Sequence, residues 1–150
     1  MDPTLTNVTV LLDSATNLTL NQMGFSTAIG SAKGDTITAG AANQTLTGRV
    51  GSDTLIGYSG FGTTFRDTSA GLNGDKIGLF GGDDVINVTD LLPGSAQPLV
   101  HKTTASGGIL TVTDGVHTTN IGFIGNYAAS DFKLGADSQG GSVITFARGS

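Results

Sequence analysis

The sequence predicts an all-β chain, in which short strands stack as a β-solenoid and a β-rich segment caps the stack. Three observations lead there. Glycine supplies 24 of 150 residues, about twice the usual share of ~7%. Charged residues are 13% of the chain, and all twelve acidic residues are Asp, with no Glu anywhere. Glu, Lys and Arg clothe exposed helices, whereas Asp, Asn, Gly and Thr belong to turns and strands. The third observation is a repeat. Polar–polar–apolar triplets recur at Asp35-Thr36-Ile37, Gln44-Thr45-Leu46, Asp53-Thr54-Leu55, Thr63-Thr64-Phe65, Asp75-Lys76-Ile77 and Asp84-Val85-Ile86.

The elements follow in order. Residues 1–29 are expected to open the stack with irregular strands that use Leu18, Ile29 and part of 8–20. Residues 30–91 carry the repeat, whose apolar positions are spaced by 9, 9, 10, 12 and 9. Nine residues leave room for a strand of about three and a turn of about six, and such a unit buries its apolar residue only by stacking on copies of itself. The longer spacings predict insertions in the turns before Phe65 and Ile77. Pro93 and Pro98 mark a boundary, and residues 92–150 read as the cap of a single compact domain. There, Ile109-Leu110-Thr111-Val112-Thr113 and the run from Val116 to Ile121 flank Asp114-Gly115, which signals a hairpin with a type I′ turn. That turn sets Val112 opposite His117 and Leu110 opposite Thr119, with Leu110, Val112, Ile121 and Phe123 on one apolar face. A short helical turn is expected within 126–131 and a closing strand over 142–146.

Composition also excludes function classes. The net charge is −5 and the seven basic residues are scattered singly, so no cationic stripe is available to neutralise nucleic-acid phosphates. No apolar run approaches the roughly 18 residues of a membrane span, and Met1-Asp2-Pro3 does not begin a secretory signal. With no Cys, thiolate nucleophiles, zinc thiolates and disulfides are excluded. The two histidines, His101 and His117, accompany no Gly-x-Ser-x-Gly elbow, and the expectation is a chain that is not an enzyme.

The repeats resemble the hemolysin-type calcium-binding (RTX) nonapeptide G-G-x-G-x-D-x-U-x, with U a large apolar residue. Gly48-Arg49-Val50-Gly51-Ser52-Asp53-Thr54-Leu55-Ile56 is the most complete copy. The run from Asp75 through Ile77, Phe80, Asp84 and Ile86 to Leu91 is similar to the segment that leads such repeats into a C-terminal cap. The tail from Asp131-Phe132 to Ser142-Val143-Ile144 is similar to those of many secreted members. The resemblance implies a right-handed parallel β-roll with two nonapeptides per coil. One edge then carries Asp35, Asp53 and Asp75, and the other carries Gln44, Thr63 and Asp84. It implies Ca²⁺ as cofactor, held by Asp35, Asp53 and Asp75 with the Gly51 turn, and by Asp83 and Asp84 at the junction with the cap. Calcium takes six to eight oxygens, and Gly-rich turns present carbonyls unobstructed. It further implies a module of a larger bacterial protein, exported through a type I secretion apparatus and working outside the cell or on its surface.

The alternative is a carbohydrate-binding or adhesive module with Tyr58 and Phe61 as an exposed stacking platform for a glycan. Threonine columns at Thr36/Thr38 and Thr45/Thr47 suggest an ice-binding face, but Ile56 and Arg66 interrupt the second column.

Overall fold

The computed structural model describes residues 8–11, 17–20, 25–59, 62–92, 100–104, 107–125, 127, 131–137 and 139–146. The chain is mostly β, with two mixed sheets, neither of them closed. The strands are β1 (Val8–Leu11), β2 (Asn17–Leu20), β3 (Phe25–Ile29), β4 (Thr36–Ala39), β5 (Thr45–Thr47), β6 (Thr54–Ile56) and β7 (Thr64–Asp67). After the short helix α1 (Ser69–Leu72) come β8 (Lys76–Gly78), β9 (Val85–Val88), β10 (Val100–Thr104), β11 (Gly107–Thr113), β12 (Thr118–Ile124), β13 (Phe132–Ala136) and β14 (Ser142–Phe146). From β1 to β9 successive strands alternate between sheets. One sheet runs β1-β3-β5-β7-β9-β14-β13 and the other runs β10-β11-β12-β8-β6-β4-β2.

Within the repeat, each strand pairs in parallel with the strand two further on. Ile37 lies beside Leu55, Leu55 beside Ile77, Leu46 beside Phe65 and Phe65 beside Ile86. All six apolar triplet positions have no solvent exposure, so the period picked out the core column residue by residue. Three-residue strands suffice because each needs only one inward residue, as with Leu46 between the partly exposed Thr45 and Thr47, and Leu55 between Thr54 and Ile56. The insertion before Ile77 is α1, capped by the Thr68 side chain, which accepts from the Gly71 N–H at 3.0 Å. Sequence reading placed an insertion there but no helix. A four-residue helix has too short a pattern to register as periodic.

At the C-terminal end each sheet is extended by antiparallel strands. Strand β12 pairs in parallel with β8 and antiparallel with β11, and β14 lies antiparallel to both β9 and β13. The β11–β12 hairpin forms with its predicted apolar face, since Leu110, Val112, Ile121 and Phe123 are all buried. Its register differs from expectation. Val112 faces Thr119 and Leu110 faces Ile121, a shift of two residues that preserves the faces. Asp114 causes it, accepting from the Val116 N–H at 2.8 Å and the His117 N–H at 2.6 Å, so the loop holds four residues rather than two. His117 therefore sits in the loop, not opposite Val112. Residues 93, 98, 126 and 128–130, where the boundary prolines and most of the expected helical turn fall, lie outside the described residues.

An aromatic cluster joins the repeat strands to these hairpins. The Phe80 ring lies 6.4 Å from Phe65, 5.6 Å from Phe123, 6.0 Å from Phe132 and 6.0 Å from Phe146. Among the described residues, no helix is long and apolar enough to cross a membrane.

Candidate functional site: an aspartate-lined corner

The turns that cross between the two sheets fall into two sets, one for each direction of crossing. Turns 30–35, 48–53 and 68–75 stack at one corner, and turns 40–44 and 79–84 stack at the other with residues 57–59 and 62–63 between them. Glycine makes the close stacking feasible. Gly51 adopts φ +132°, and a methyl group there would lie 2.7 Å from the Lys33 carbonyl oxygen.

The residue that closes each turn is buried on both corners. Asp35, Asp53 and Asp75 are 2%, 1% and 1% exposed, and Gln44, Thr63 and Asp84 are equally sequestered. The side chains of Asp53, Asp75 and Asp84 tie one turn to the next in the stack. Asp53 Oδ1 accepts from the Asp35 N–H at 2.8 Å, Asp75 Oδ1 from the Asp53 N–H at 2.9 Å, and Asp84 Oδ1 from the Thr63 N–H at 2.8 Å. Aspartate at this position thus serves as an acceptor in a ladder between coils.

The second oxygen ordinarily closes on its own turn. Asp35 Oδ2 accepts from the Ser31 N–H and hydroxyl at 2.7 and 3.0 Å. Gln44 Oε1 accepts from the Gly40 N–H, the Thr63 hydroxyl oxygen from the Tyr58 N–H, and Asp84 Oδ2 from the Gly81 N–H. These contacts explain why Gln and Thr stand where the repeat has Asp elsewhere: at that corner any acceptor of suitable reach closes the turn.

Two aspartates break the pattern. Asp53 Oδ2 and Asp75 Oδ2 are buried without a hydrogen-bond partner. Burial pushes the Asp53 carboxyl up to about 6, with the negative charges of Asp35 and Asp67 adding to the shift. Burial likewise pushes Asp75 up to about 8, with Asp53 and Asp67 adding. A buried charge without compensation reverts to its neutral form or acquires a counter-ion.

The structure places the other expected site residues apart from this corner. Asp84 is at the opposite corner, raised by burial against the N–H groups it accepts, while the adjacent Asp83 is exposed. Tyr58 is half-buried and packs against the hydrophobic core. Phe61 lies outside the described residues, as do the side chains of β10, including His101. Among the described residues no three His or Asp side chains already converge as a metal-binding group.

Asp67 and Asp90 are conceivable from the sequence as a carboxylate pair, but their spacing gives no reason to bring them together and no calcium role for either. Both sit where a turn opens, and each accepts from the coil before it. Asp67 Oδ2 takes the Arg49 N–H, and Asp90 takes the Ser69 N–H and hydroxyl at 2.7 and 3.0 Å. The signal for Asp67 was present in the sequence. Aligning Leu46 with Phe65 sets Asp67 in the column of Gly30 and Gly48, where an unexpected carboxylate stands out. Asp90 also lies 3.9 Å from His117 Nε2, and His117 Nδ1 is 3.1 Å from Asp114 Oδ2. The hydrogen bond to Asp114 raises the His117 pKa, and the Asp90 charge helps.

A groove of about 460 Å³ opens on the outer face of β8, β11 and β12, between Ile109 and Ile124 and over Gly122, with Asp75 and Lys76 on its wall. No family model, curated protein or solved structure matches the chain.

Proposed function

We propose that this chain is a non-catalytic structural module, a short right-handed β-roll closed by a β cap, whose aspartate-lined corner is stabilised by calcium. The alternation of parallel strands between two sheets supports the roll, and the paired antiparallel extensions support the cap. One observation carries the calcium proposal. Asp53 and Asp75 stack at one corner, each with an oxygen buried and unpartnered, and among the described residues neither forms an ion pair with Lys or Arg. A hard divalent cation, which prefers oxygen ligands and tolerates irregular geometry, suits such a place.

Binding to the folded state alone contributes RT ln(1 + [Ca²⁺]/Kd), about 2.7 kcal/mol at a hundredfold excess over Kd. Wild-type chain is therefore expected to melt several degrees higher in millimolar calcium than in EDTA. Asp53→Ala should lose most of that difference. Asp137→Ala removes an acceptor for the Asn87 amide and the Gln139 and Gly141 N–H groups, so it should lower the melting temperature equally with and without calcium. A wild-type melting temperature indifferent to both reagents would sink the calcium proposal, and favour a roll held by its hydrogen-bonded ladder alone.

The RTX resemblance extends the proposal to export by a type I apparatus, with calcium encountered outside the cell. Fusion of residues 92–150 to a passenger is expected to direct it into the medium through that apparatus, and retention of the passenger in the cell would overturn this part. The glycan alternative has less support, because Tyr58 rests on the core.

A further inference from the structure

Donors at the acidic corner are shared out unevenly, and the uneven sharing singles out one residue. In the first of the three stacked turns the N–H of Ser31 closes on Asp35 of its own turn at 2.7 Å. One coil on, Arg49 occupies the place of Ser31, since Ile29 pairs with Thr47. The Arg49 N–H does not close on Asp53. It donates to Asp67 of the following coil, and Asp53 Oδ2 is left buried with no partner. In the third turn the Ser69 N–H and hydroxyl go to Asp90, and Asp75 Oδ2 is the orphan.

Glycines make room for the carboxylates involved. A methyl group on Gly48 would collide with the Asp53 carboxylate, and one on Gly71 would collide with that of Asp67. Asp53 Oδ2 therefore lies over Gly48, while Asp67 Oδ2 is bound to the N–H of the very next residue. Asp67 also repels both Asp53 and Asp75. Two carboxylates, Asp53 and Asp67, meet at the Gly48-Arg49 backbone, Asp75 is bound to the Asp53 N–H, and the nearby cationic side chain, Arg49, is solvent-exposed.

We propose that Asp67 is a calcium ligand that acts together with Asp53 and Asp75, the ion taking the place of the N–H donors that these turns have given up. The proposal rests on the calcium reading above and adds to it a residue outside the nonapeptide pattern. Calcium's charge offsets the mutual repulsion, and the orphaned oxygens of Asp53 and Asp75 become ligands. Side-chain movement completes the site, since the three carboxylates do not yet converge.

The test is calorimetric titration of the full chain with calcium at pH 7.5. Asp67→Asn removes the charge and keeps an oxygen for one of the two N–H groups, Arg49 or Thr68, that the two carboxylate oxygens accept from, and is expected to weaken binding at least tenfold. Asp137→Asn, in the β13–β14 loop and with its acceptor for the Gln139 and Gly141 N–H groups retained, should bind like wild type. Gly71→Ala leaves Asp67 in place but pushes its carboxylate aside, and should weaken binding even if Asp67→Asn fails to fold. Wild-type affinity in either Asp67→Asn or Gly71→Ala, with wild-type chain binding calcium normally, overturns the role of Asp67 and leaves the calcium reading standing. No binding by wild-type chain overturns both.

Discussion

Replacing Phe80 with alanine should lower the free energy of unfolding by about 3–5 kcal/mol, the usual cost of removing a buried aromatic side chain. Phe80 is 3% exposed and its ring neighbours Phe65 in the repeat strands as well as Phe123, Tyr127, Phe132 and Phe146 beyond them. The phenolic hydroxyl of Tyr127 donates to its carbonyl oxygen at 2.5 Å. The Phe80 ring faces aromatic partners from the repeat strands and from the C-terminal hairpins, so the cavity has few ways to collapse. Since the ring fastens the C-terminal hairpins to the repeat strands, the variant should also split one unfolding transition into two, with the hairpins released first. Val116→Ala, at a position 82% exposed, should change stability by less than about 0.5 kcal/mol. Chemical denaturation followed by both fluorescence and circular dichroism measures both effects. A Phe80→Ala loss below 1 kcal/mol would show that the hairpins hold to the stack mainly through their backbone pairing.

The features legible in the sequence are those governed by period. Ile37, Leu46, Leu55, Phe65, Ile77 and Ile86 stood out because a stack admits one large inward residue per short strand. The alternation of strands between two sheets was not legible in that count and was expected only from the RTX resemblance. Hydrogen-bond partnership between coils was not legible in this way. Asp35, Asp53 and Asp75 look alike as letters, yet only Asp35 keeps a donor for its second oxygen, and the difference arises from Asp67 and Asp90 some 14 to 15 positions further on. The hairpin register failed for a related reason. Asp-Gly signals a two-residue turn when the aspartate side chain is idle, but Asp114 accepts from Val116, His117 and, across the chain, the Leu92 N–H at 3.0 Å. Those acceptances hold its carboxyl below the usual carboxylate range and widen the loop. The two-residue turn was overruled by the aspartate's own side chain, whose Oδ1 gathers two N–H groups of the loop.

Without calcium, the folded chain should be most stable in mild acid and lose stability as the pH rises towards 8. Burial raises the folded-state pKa of Asp53 to about 6 and of Asp75 to about 8, from an ordinary value of 3.8. Below 3.8 both folded and unfolded states hold these protons, and no penalty exists. Above it the unfolded chain releases them while the fold retains them, so stability falls with pH. The fall from Asp53 ends near pH 6 and that from Asp75 near pH 8. His117 contributes in the same direction, because its folded pKa is raised by Asp114 and Asp90; its stabilisation is present below about 6.5 and fades above the folded value. Asp75→Asn separates the contributions. Its amide oxygen keeps the Asp53 N–H, and its amide nitrogen gives the crowded carboxylates a donor in place of an orphaned oxygen. In EDTA at pH 8 the variant should therefore be more stable than wild type by about 1–2 kcal/mol, the order of a buried polar group regaining its partner. At pH 4 the two should nearly coincide. In millimolar calcium at pH 8 the order should reverse, because calcium requires the deprotonated carboxylate that the variant lacks. Thermal melts across pH 4–8, with and without calcium, contain all three comparisons. If Asp75→Asn proves less stable than wild type in EDTA at pH 8, then the Asp75 carboxylate is compensated in the metal-free fold, and a bound cation has nothing there to relieve.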